Sequence, residues 1–244
     1  MKSVGKTSKG LVRKNNQDNY LNQTTKSGLR IIAVADGLGG HKAGEVASSF
    51  AVEELAQYFS LWGEDNVFNH IEEIKNYIFD INTHIRKVAR ENAEYAGMGT
   101  TLTVFITNGK NAGVLHIGDS RAYLINKNGI KQITKDHSLV QFMIDQGQIT
   151  YEESLTHPQK NIITRALGTE ESLEIDYYSF DISPSDKVLL CTDGLTNYIS
   201  DDQIFSVVNS LDLDSAADRL IEMANDCGGA DNITVALLEV NYDR

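Results

Sequence analysis

The sequence lacks the features that mark disulfide-bonded, secreted or membrane-spanning proteins. Its 244 residues include only two prolines and two cysteines, and Cys191 and Cys227 show no framework spacing. No apolar run approaches the roughly 18 residues of a membrane helix, and the N-terminal residues lack the apolar core of a signal peptide. We therefore expect a cytoplasmic protein that binds no membrane, buries Cys191 as a small hydrophobic residue and folds without disulfides.

Positive charge is also scarce. The chain has 22 lysines and arginines against 34 aspartates and glutamates, which gives a formal net charge of −12. Binding to nucleic acid depends on cationic side chains that neutralise phosphates, so we exclude nucleic acid as a partner. Solubility is the simplest reason for the negative charge, and a second is that some of the aspartates bind a divalent cation.

The periodicity of apolar residues predicts strands that come in groups and helices that come in pairs. Strands are predicted at 3–7, 18–21 and 31–36, in four short pieces between 100 and 133, and at 173–181, 187–192 and 232–240. Helices are predicted at 43–61, 67–92, 201–210 and 215–227. Because helices do not alternate one by one with strands, this order predicts an α+β fold with mainly antiparallel sheets, in a single domain of residues 1–244.

The second predicted helix carries an apolar stripe. Isoleucines and one valine recur at alternating steps of three and four residues from Ile71 to Val88. Such a stripe fits either the core face of a helix or a coiled-coil seam, and we favour the core face.

The pattern weakens between Asp136 and Leu167. A short helix is predicted at 138–146, and a polar piece around 151–161 contains Pro158. We interpret residues 138–167 as a flap inserted over the surface, because functional mobility often resides in segments of this kind.

Five aspartates lie where predicted strands meet loops: Asp18, Asp36, Asp119, Asp193 and Asp231. Any one alone is typical of a turn, but strand ends in a sheet can bring such positions together. Five converging carboxylates would repel one another unless cations lay among them, and oxygen ligands without cysteine or paired histidines suit magnesium or manganese rather than zinc. Two such ions, about 3.5–4 Å apart, could bind a phosphate and deprotonate a bridging water, while Arg13 could hold the phosphate oxygens.

Six short motifs follow one another in a particular order. They are Arg13 with Asn16-Gln17-Asp18, ADGLGGH at 35–41, GTT at 99–101, GDSRAY at 118–123, TDG at 192–194 and GADNIT at 229–234. DHS at 136–138 and TRALG at 164–168 add smaller matches. Each motif is weak alone, but the ordered set, from about residue 3 to 238, resembles the metal-dependent (type 2C, PPM) serine/threonine protein phosphatases in their compact bacterial form.

The resemblance implies a fold and an activity. The fold is a four-layer α-β-β-α sandwich of two antiparallel sheets flanked by helix pairs, with a small flap. The activity is hydrolysis of phosphoserine and phosphothreonine by a hydroxide that bridges two Mn²⁺ or Mg²⁺ ions, without a phosphoenzyme. The implied partners are phosphorylated proteins and a cognate Ser/Thr protein kinase, and the protein is expected to be a monomer.

The resemblance also assigns roles to the residues. Asp36 would bridge two ions, with the Gly37 carbonyl on one of them, and Asp193 and Asp231 would hold the other. Asp18 would bind that second ion directly or through a water. Asp119 would form a third, weaker ion site with Asp193, completed by a flap oxygen near Asn161. Arg13 matches the phosphate-binding arginine.

One position departs from many eukaryotic members of the family, which have histidine directly after Asp-Gly as the proposed general acid. This chain has Leu38 there, and the nearest histidine is His41. We name His41 as a catalytic candidate that protonates the leaving group, although a metal-bound water could do the same and His41 could merely order the glycine loop. His116 and the remaining histidines are interpreted as structural or surface residues.

Two other interpretations compete with an active phosphatase. A nucleotide-binding loop is disfavoured because residues 37–42 lack the third glycine of GxGxxG and Lys42 is not in a GK[ST] setting. A catalytically degenerate relative that acts as a regulatory binding module is disfavoured because all five aspartates and Arg13 are present. Asp212-Leu213-Asp214 resembles the nucleophile motif of another phosphatase class, but no buried strand precedes it, so we interpret it as a solvated loop or helix cap.

Overall fold

Two antiparallel sheets form the centre of the molecule, and the computed structural model describes residues 1–39, 43–63 and 66–241. The strands are β1 Lys2–Ser8, β2 Asp18–Thr24, β3 Arg30–Leu38, β4 Gly99–Thr100, β5 Leu102–Thr107, β6 Asn111–Ile117, β7 Arg121–Asn126, β8 Gly129–Gln132, β9 Asp176–Asp181, β10 Lys187–Cys191 and β11 Ile233–Glu239. The first sheet has the order β1-β11-β10-β7-β8. The second has the order β2-β3-β5-β6-β9, with the short β4 paired to the end of β3. The predicted α+β fold with two antiparallel sheets is confirmed.

Helices flank both sheets. They are α1 Ala43–Ser60, α2 Ile71–Glu91, α3 Leu139–Asp145, α4 Tyr151–Leu155, α5 Asp193–Thr196, α6 Asp201–Ser210 and α7 Leu213–Asp226. Asp212 caps α7 by accepting the backbone N–H groups of Asp214 and Ser215, each at 3.1 Å, so this segment is a helix cap as predicted. None of the helices among the described residues is long and apolar enough to cross a membrane.

Three hydrophobic cores separate the four layers. Strand β3 contributes to two of them: Ile31, Ala33 and Ala35 face α1 and α2, while Ile32 and Val34 face the first sheet. Both faces of this strand are therefore buried, which explains why its sequence is a continuous apolar run rather than an alternating one. The third core lies between the first sheet and the pair α6 and α7.

Both faces of strand β10 are buried as well. Val188 and Leu190 face the second sheet, and Leu189 and Cys191 face the helices on the other side. Cys191 is a free, fully buried thiol, as predicted, whereas Cys227 is free and exposed.

The isoleucine stripe of α2 faces the core. Its buried members are Ile71, Ile74, Ile78, Ile81 and Ile85, and they pack against the second sheet. The core interpretation is confirmed, but the helix begins later than predicted. Val67–Asn69 form a separate 3₁₀ turn, capped by the Asn66 side chain, because His70 has a non-helical backbone conformation before α2 begins.

Strand β3 is longer than predicted. The sequence indicates a strand that stops at Asp36, but the strand continues through Gly37 and Leu38. Gly37 pairs with Thr100 and Leu38 pairs with Gly99. A pairing partner more than sixty residues away is not visible in a local pattern, and the glycines after Asp36 suggested a turn.

Strand β9 is shorter than predicted, since it begins at Asp176 rather than at Leu173. Leu173 and Ile175 pack on the core between the second sheet and its helices. Their apolar signal reflects this packing and not strand pairing.

The flap, residues 138–167, contains α3 and α4. The predicted short helix at 138–146 is confirmed as α3, which the Ser138 side chain caps. Helix α4 lies within the piece that the sequence indicated only as polar, and its capping box explains why it forms. Thr150 accepts the N–H of Glu153 at 3.2 Å, and the Glu153 carboxylate accepts the N–H of Thr150 at 2.7 Å. The two ends of the flap meet in a bridge between Ser138 and Ile163.

Candidate metal centre

The five aspartates lie together at one end of the two sheets. Asp18 opens β2 and is paired with Asp36 of β3 across the second sheet. Asp119 lies in the turn from β6 to β7, Asp193 is the first residue of α5, two positions after the end of β10, and Asp231 lies two positions before β11. The charge of each of the other four acts on the Asp36 carboxylate. The predicted convergence therefore occurs.

The aspartates are largely withdrawn from water. Burial raises the pKa of Asp18 to about 7, an effect that hydrogen bonds from two threonine hydroxyls partly oppose. Burial and the charge of Asp231 raise the pKa of Asp193 to about 6. Burial, followed by the neighbouring carboxylates, also raises the pKa of Asp36 and Asp119 well above the usual range. Buried carboxylates that lie beside one another hold protons unless a cation compensates their charge.

Three oxygens of this cluster have no hydrogen-bond donor. They are Oδ1 of Asp18, Asp119 and Asp193, and all three are buried. Buried carboxylate oxygens without a donor are costly, and a divalent cation is the partner that satisfies several at once. The donors are carboxylates, which suits a hard ion such as Mg²⁺ or Mn²⁺.

The residues present therefore fit divalent ions, although the side chains alone do not form a complete set of ligands. Within the described ranges, no three His, Cys, Asp or Glu side chains already form a finished ligand set around one point. Hard cations of this kind commonly complete their coordination with backbone carbonyls and water, so fewer side chains per ion are needed.

Backbone contacts hold Asp36 in place. Its N–H donates to Thr101 Oγ1 at 2.9 Å, and its carbonyl accepts the Thr101 N–H and the Thr100 hydroxyl, each at 2.9 Å. The next residue must be glycine, because a Cβ on Gly37 would lie 2.2 Å from the Gly44 carbonyl oxygen. Strand β3 and the start of α1 are therefore in direct backbone contact beside the carboxylates.

Arg13 reaches the cluster from the loop between β1 and β2. Its Nη2 lies 2.8 Å from Oδ2 of Asp231, and half of the Arg13 side chain is exposed. The loop is tied to the segment before Asp231, because the N–H groups of Leu11 and Val12 donate to the Gly229 carbonyl at 2.7 and 3.2 Å. The structure thus brings the predicted phosphate-binding cation to the carboxylates, where it forms an ion pair with one of them.

The turn that carries Asp119 is attached to the base of the flap through His137. The Gly118 N–H donates to His137 Nδ1 at 3.0 Å, and the His137 N–H donates to the Gly118 carbonyl at 2.7 Å. On the other side of the ring, Arg165 Nη1 lies 3.1 Å from His137 Nε2 and also donates to Asp176 at 2.8 Å. The flap begins one residue after His137 and contains Arg165, so it is tied to the Asp119 turn.

Sequence reasoning missed this role of His137. The ring of His116, which is fully buried, lies 4.8 Å from that of His137 and bonds to Thr103 Oγ1 at 2.9 Å. Burial lowers the pKa of both rings, to about 3 for His116, so they act as neutral hydrogen-bonding groups. The DHS and TRALG motifs were the available signal, but nothing in them indicated that one contacts the Asp119 turn. His41, the catalytic candidate, lies outside the described residues.

A cleft of about 490 Å³ opens from Asp119 and Asp193 and runs between the flap and the start of α6. Flap residues Tyr151, Lys160 and Asn161 line one side. Asn161 therefore lies in the same cleft as Asp119 and Asp193, although its role as an ion ligand stays a prediction.

The chain is similar in sequence and in fold to known proteins. A family model described as Protein phosphatase 2C matches residues 8–237. The serine/threonine phosphatase stp of Listeria welshimeri is 39% identical over 241 residues, which covers 97% of this chain and 94% of the relative.

Solved structures of phosphatases are also similar to this chain. Serine/threonine phosphatase Stp1 from Staphylococcus aureus has a TM-score of 0.93 at 37% identity and covers 98% of this chain and 95% of its own. The catalytic domain of serine threonine protein phosphatase PstP in complex with two manganese ions has a TM-score of 0.87 at 35% identity and covers 99% of this chain and 98% of its own. The predicted family is confirmed, and with it an enzyme of the phosphatase class of hydrolases. This chain belongs to the protein phosphatase 2C family.

Proposed function

We propose that residues 1–244 form one phosphatase domain that hydrolyses phosphoserine and phosphothreonine in proteins, with two Mn²⁺ or Mg²⁺ ions and without a phosphoenzyme. The observation that carries this proposal is the set of buried, donor-less carboxylate oxygens on Asp18, Asp119 and Asp193, in a cluster that also contains Asp36 and Asp231. The two manganese ions of the similar PstP structure support the choice of metal.

The proposed ligands come from both sheets. Asp36 would belong to both ions, the Gly37 carbonyl to one of them, and Asp193 and Asp231 to the other. Asp18 would contact that second ion directly or through water, and Asp119 with Asp193 would hold a third, weaker ion. When bound, such ions lower the pKa of a water molecule and polarise the phosphoryl group, which supplies the nucleophile and stabilises the charge of the transition state.

The chain's own groups would bind and orient the phosphate. Arg13 is half exposed and has donors on its planar guanidinium that match two phosphate oxygens, so it can exchange its ion pair with Asp231 for the substrate. Asn197 donates to Asp193 Oδ2 at 3.0 Å, which keeps that oxygen occupied and the other oxygen available. His41 remains the proposed proton donor to the leaving serine or threonine, with a water molecule as the alternative donor.

The surroundings of the site suit a protein substrate. The cleft between the flap and α6 extends the site beyond the carboxylates and leaves room for residues that flank the phosphorylated one. We propose that the substrates are phosphoproteins made by a cognate Ser/Thr kinase and that the enzyme acts in the cytoplasm, where the free thiols of Cys191 and Cys227 are stable. All proposed ligands come from one chain, in keeping with a monomer.

Hydrolysis of a phosphothreonine peptide tests the proposal. We expect activity with Mn²⁺, loss of activity in EDTA, and recovery when Mn²⁺ is added back. Asp36→Asn and Asp193→Ala should abolish activity, whereas Asp212→Asn, a matched change at the exposed cap of α7, should not. Activity that survives both chelation and the two substitutions would refute the mechanism. A chain that binds Mn²⁺ but hydrolyses neither phosphothreonine nor phosphoserine peptides would instead be a regulatory binding module.

A further inference from the structure

The two oxygens of the Asp18 carboxylate have different surroundings. Oδ2 accepts the hydroxyl of Thr192 at 2.8 Å and the hydroxyl of Thr234 at 2.7 Å. Oδ1 is equally buried and has no donor. One oxygen is therefore fully occupied by the protein, and the other is left for a partner that the protein does not supply.

The hydrogen bonds around Oδ2 all run toward Asp18. Thr234 donates its only hydroxyl proton to Oδ2, so in its 2.7 Å contact with Thr7 it must accept the Thr7 proton. Thr7 in turn accepts from Asn16 Nδ2 at 2.8 Å. Thr192 Oγ1 accepts the Thr234 N–H at 3.0 Å, which aims its own proton at Oδ2. This direction suits an Asp18 that is an acceptor at both oxygens.

The two hydroxyls also connect the two sheets. Thr234 belongs to β11 and Thr192 directly follows β10, both in the first sheet, whereas Asp18 opens β2 of the second. Both threonines are fully buried. Valine has the same shape and would cost no buried hydroxyl, so packing alone does not account for threonine at either position.

We propose that Thr192 and Thr234 are positioning residues that occupy Oδ2 of Asp18 and thereby present Oδ1 alone to a divalent cation. The inference rests on the proposed function, in which Asp18 takes part in ion binding. Loss of either hydroxyl frees the carboxylate to rotate and removes a donor from Oδ2. Partners of metal ligands typically contribute 10–100-fold to metal affinity, so the effect is large enough to measure.

Titration of Mn²⁺ into the purified, metal-free chain, followed by the electron paramagnetic resonance signal of free Mn²⁺, tests the proposal without relying on activity. We expect Thr234→Val to weaken binding by about 10-fold or more and Thr234→Ser, which keeps the hydroxyl, to stay within about 3-fold of the wild type. Thr107→Val is the matched control. Thr107 is as buried as Thr234, but its hydroxyl donates to the Asn111 carbonyl, and it pairs with Arg30 at the far end of β3, about 20 Å from Asp36.

Activity supplies a second readout. At saturating Mn²⁺, kcat of Thr234→Val should recover to within about 3-fold of the wild type, because the reacting groups are intact. Thr192→Val tests the same proposal if Thr234→Val does not fold in EDTA.

If the wild type binds Mn²⁺ and Thr234→Val binds it with the same affinity, this inference is wrong, but the proposed function is not affected. Equal losses in Thr234→Val and Thr234→Ser, or in Thr107→Val, would do the same, since the hydroxyl would then not be the cause. A wild-type chain that binds no Mn²⁺ would overturn the proposed function as well.

Discussion

The two ends of the carboxylate cluster are supported by different parts of the molecule. Asp18 is held inside the sandwich, by hydroxyls that reach it from the opposite sheet. Asp119 lies on a turn whose glycine is bonded to His137, and that histidine contacts Arg165 within the flap. The Asp18 end therefore depends on the rigid interior, whereas the Asp119 end depends on a segment that covers the surface.

This difference means that one part of the ion-binding centre is fixed by the core, whereas another part can respond to the flap. Changes at the Asp18 end should alter ion binding without altering the flap. Changes at the base of the flap should alter both, because the same ring contacts the Asp119 turn and the flap. The following experiments are arranged from the largest expected effect to the smallest.

Asp18→Asn should be the most damaging change at the interior end. The amide replaces one carboxylate oxygen by a donor that repels a cation, so we expect kcat/KM to fall roughly 10³-fold, or about 4 kcal/mol. Flap behaviour, measured by limited proteolysis in EDTA, should not change. Asp226→Asn, the same substitution at an exposed position of α7, is the control. An Asp18→Asn enzyme with near-normal kcat/KM would show that the interior end is not needed.

His137→Ala should separate the flap end from the core. It removes the hydrogen bond to Gly118 and the ring contact with Arg165, and we expect a loss of about 2–3 kcal/mol in the free energy of unfolding together with a roughly 10-fold lower kcat/KM. Cleavage within residues 138–167 by a protease should become faster.

His157→Ala, the same change inside the flap, should leave both quantities near the wild-type values. If His137→Ala destabilises the protein without exposing the flap to the protease, the two ends are not supported as differently as we infer.

The metal-free protein should lose stability as pH rises from 5 to 7.5. Asp18 and Asp193 have folded pKa values of about 7 and about 6, above the roughly 3.9 of an unfolded aspartate. The folded state therefore binds more protons at these two groups in this window, which lowers the free energy of unfolding by about 4 kcal/mol. The lowered pKa values of His116 and His137 act in the opposite direction by about 2 kcal/mol, because the unfolded histidines bind protons that the folded ones do not. The net fall in the free energy of unfolding should be on the order of 1–2 kcal/mol.

Saturating Mn²⁺ should remove this trend, since the ions bind deprotonated carboxylates. Asp176, whose pKa is lowered, is already ionised above pH 5 and does not contribute. Thermal denaturation in EDTA and in Mn²⁺ at three pH values measures the effect. A metal-free protein that becomes more stable between pH 5 and 7.5 would contradict it.

Thr150→Ala should produce the smallest effect, and it tests how much of the flap supports Asp119. It breaks the capping box of α4, which costs about 1 kcal/mol of local stability. Hydrogen exchange in α4 should accelerate, while Mn²⁺ affinity stays within about 2-fold of the wild type, because α4 lies beyond the His137 contacts. Thr156→Ala, at an exposed threonine just after α4, is the matched control. A clear loss of Mn²⁺ affinity in Thr150→Ala would mean that the whole flap, and not its base alone, supports Asp119.

Sequence patterns predicted what is local. The apolar runs of β3 and β10 indicated buried strands, and the stripe of α2 indicated a core face. The aspartates at the strand ends indicated a cluster, because the ends of strands in a sheet can lie close together. The extension of β3 beyond Asp36 was missed because it depends on pairing with Gly99 and Thr100.

The supports of the cluster were missed for a similar reason. Thr192, Thr234 and His137 are ordinary residues in their own segments, and only the folded arrangement brings their hydroxyls and ring to the aspartates. A carboxylate can be recognised as a candidate ligand from its neighbours in the chain, but its hydrogen-bond donors come from other strands. Residue type predicts which atoms can act, whereas tertiary contacts decide how they are held.

The threonine contacts of Asp18 have a consequence for how the protein is made. They join residues 174 and 216 positions apart, so the chain closes around Asp18 only once its last strand is in place. Contacts of such long range form late in folding, and a chain synthesised from its N-terminus exposes Asp18 long before β11 exists. Nascent or truncated chains that lack β11 would therefore carry most of the acidic residues but no organised site. A chain synthesised only as far as β10 would therefore have no phosphatase activity.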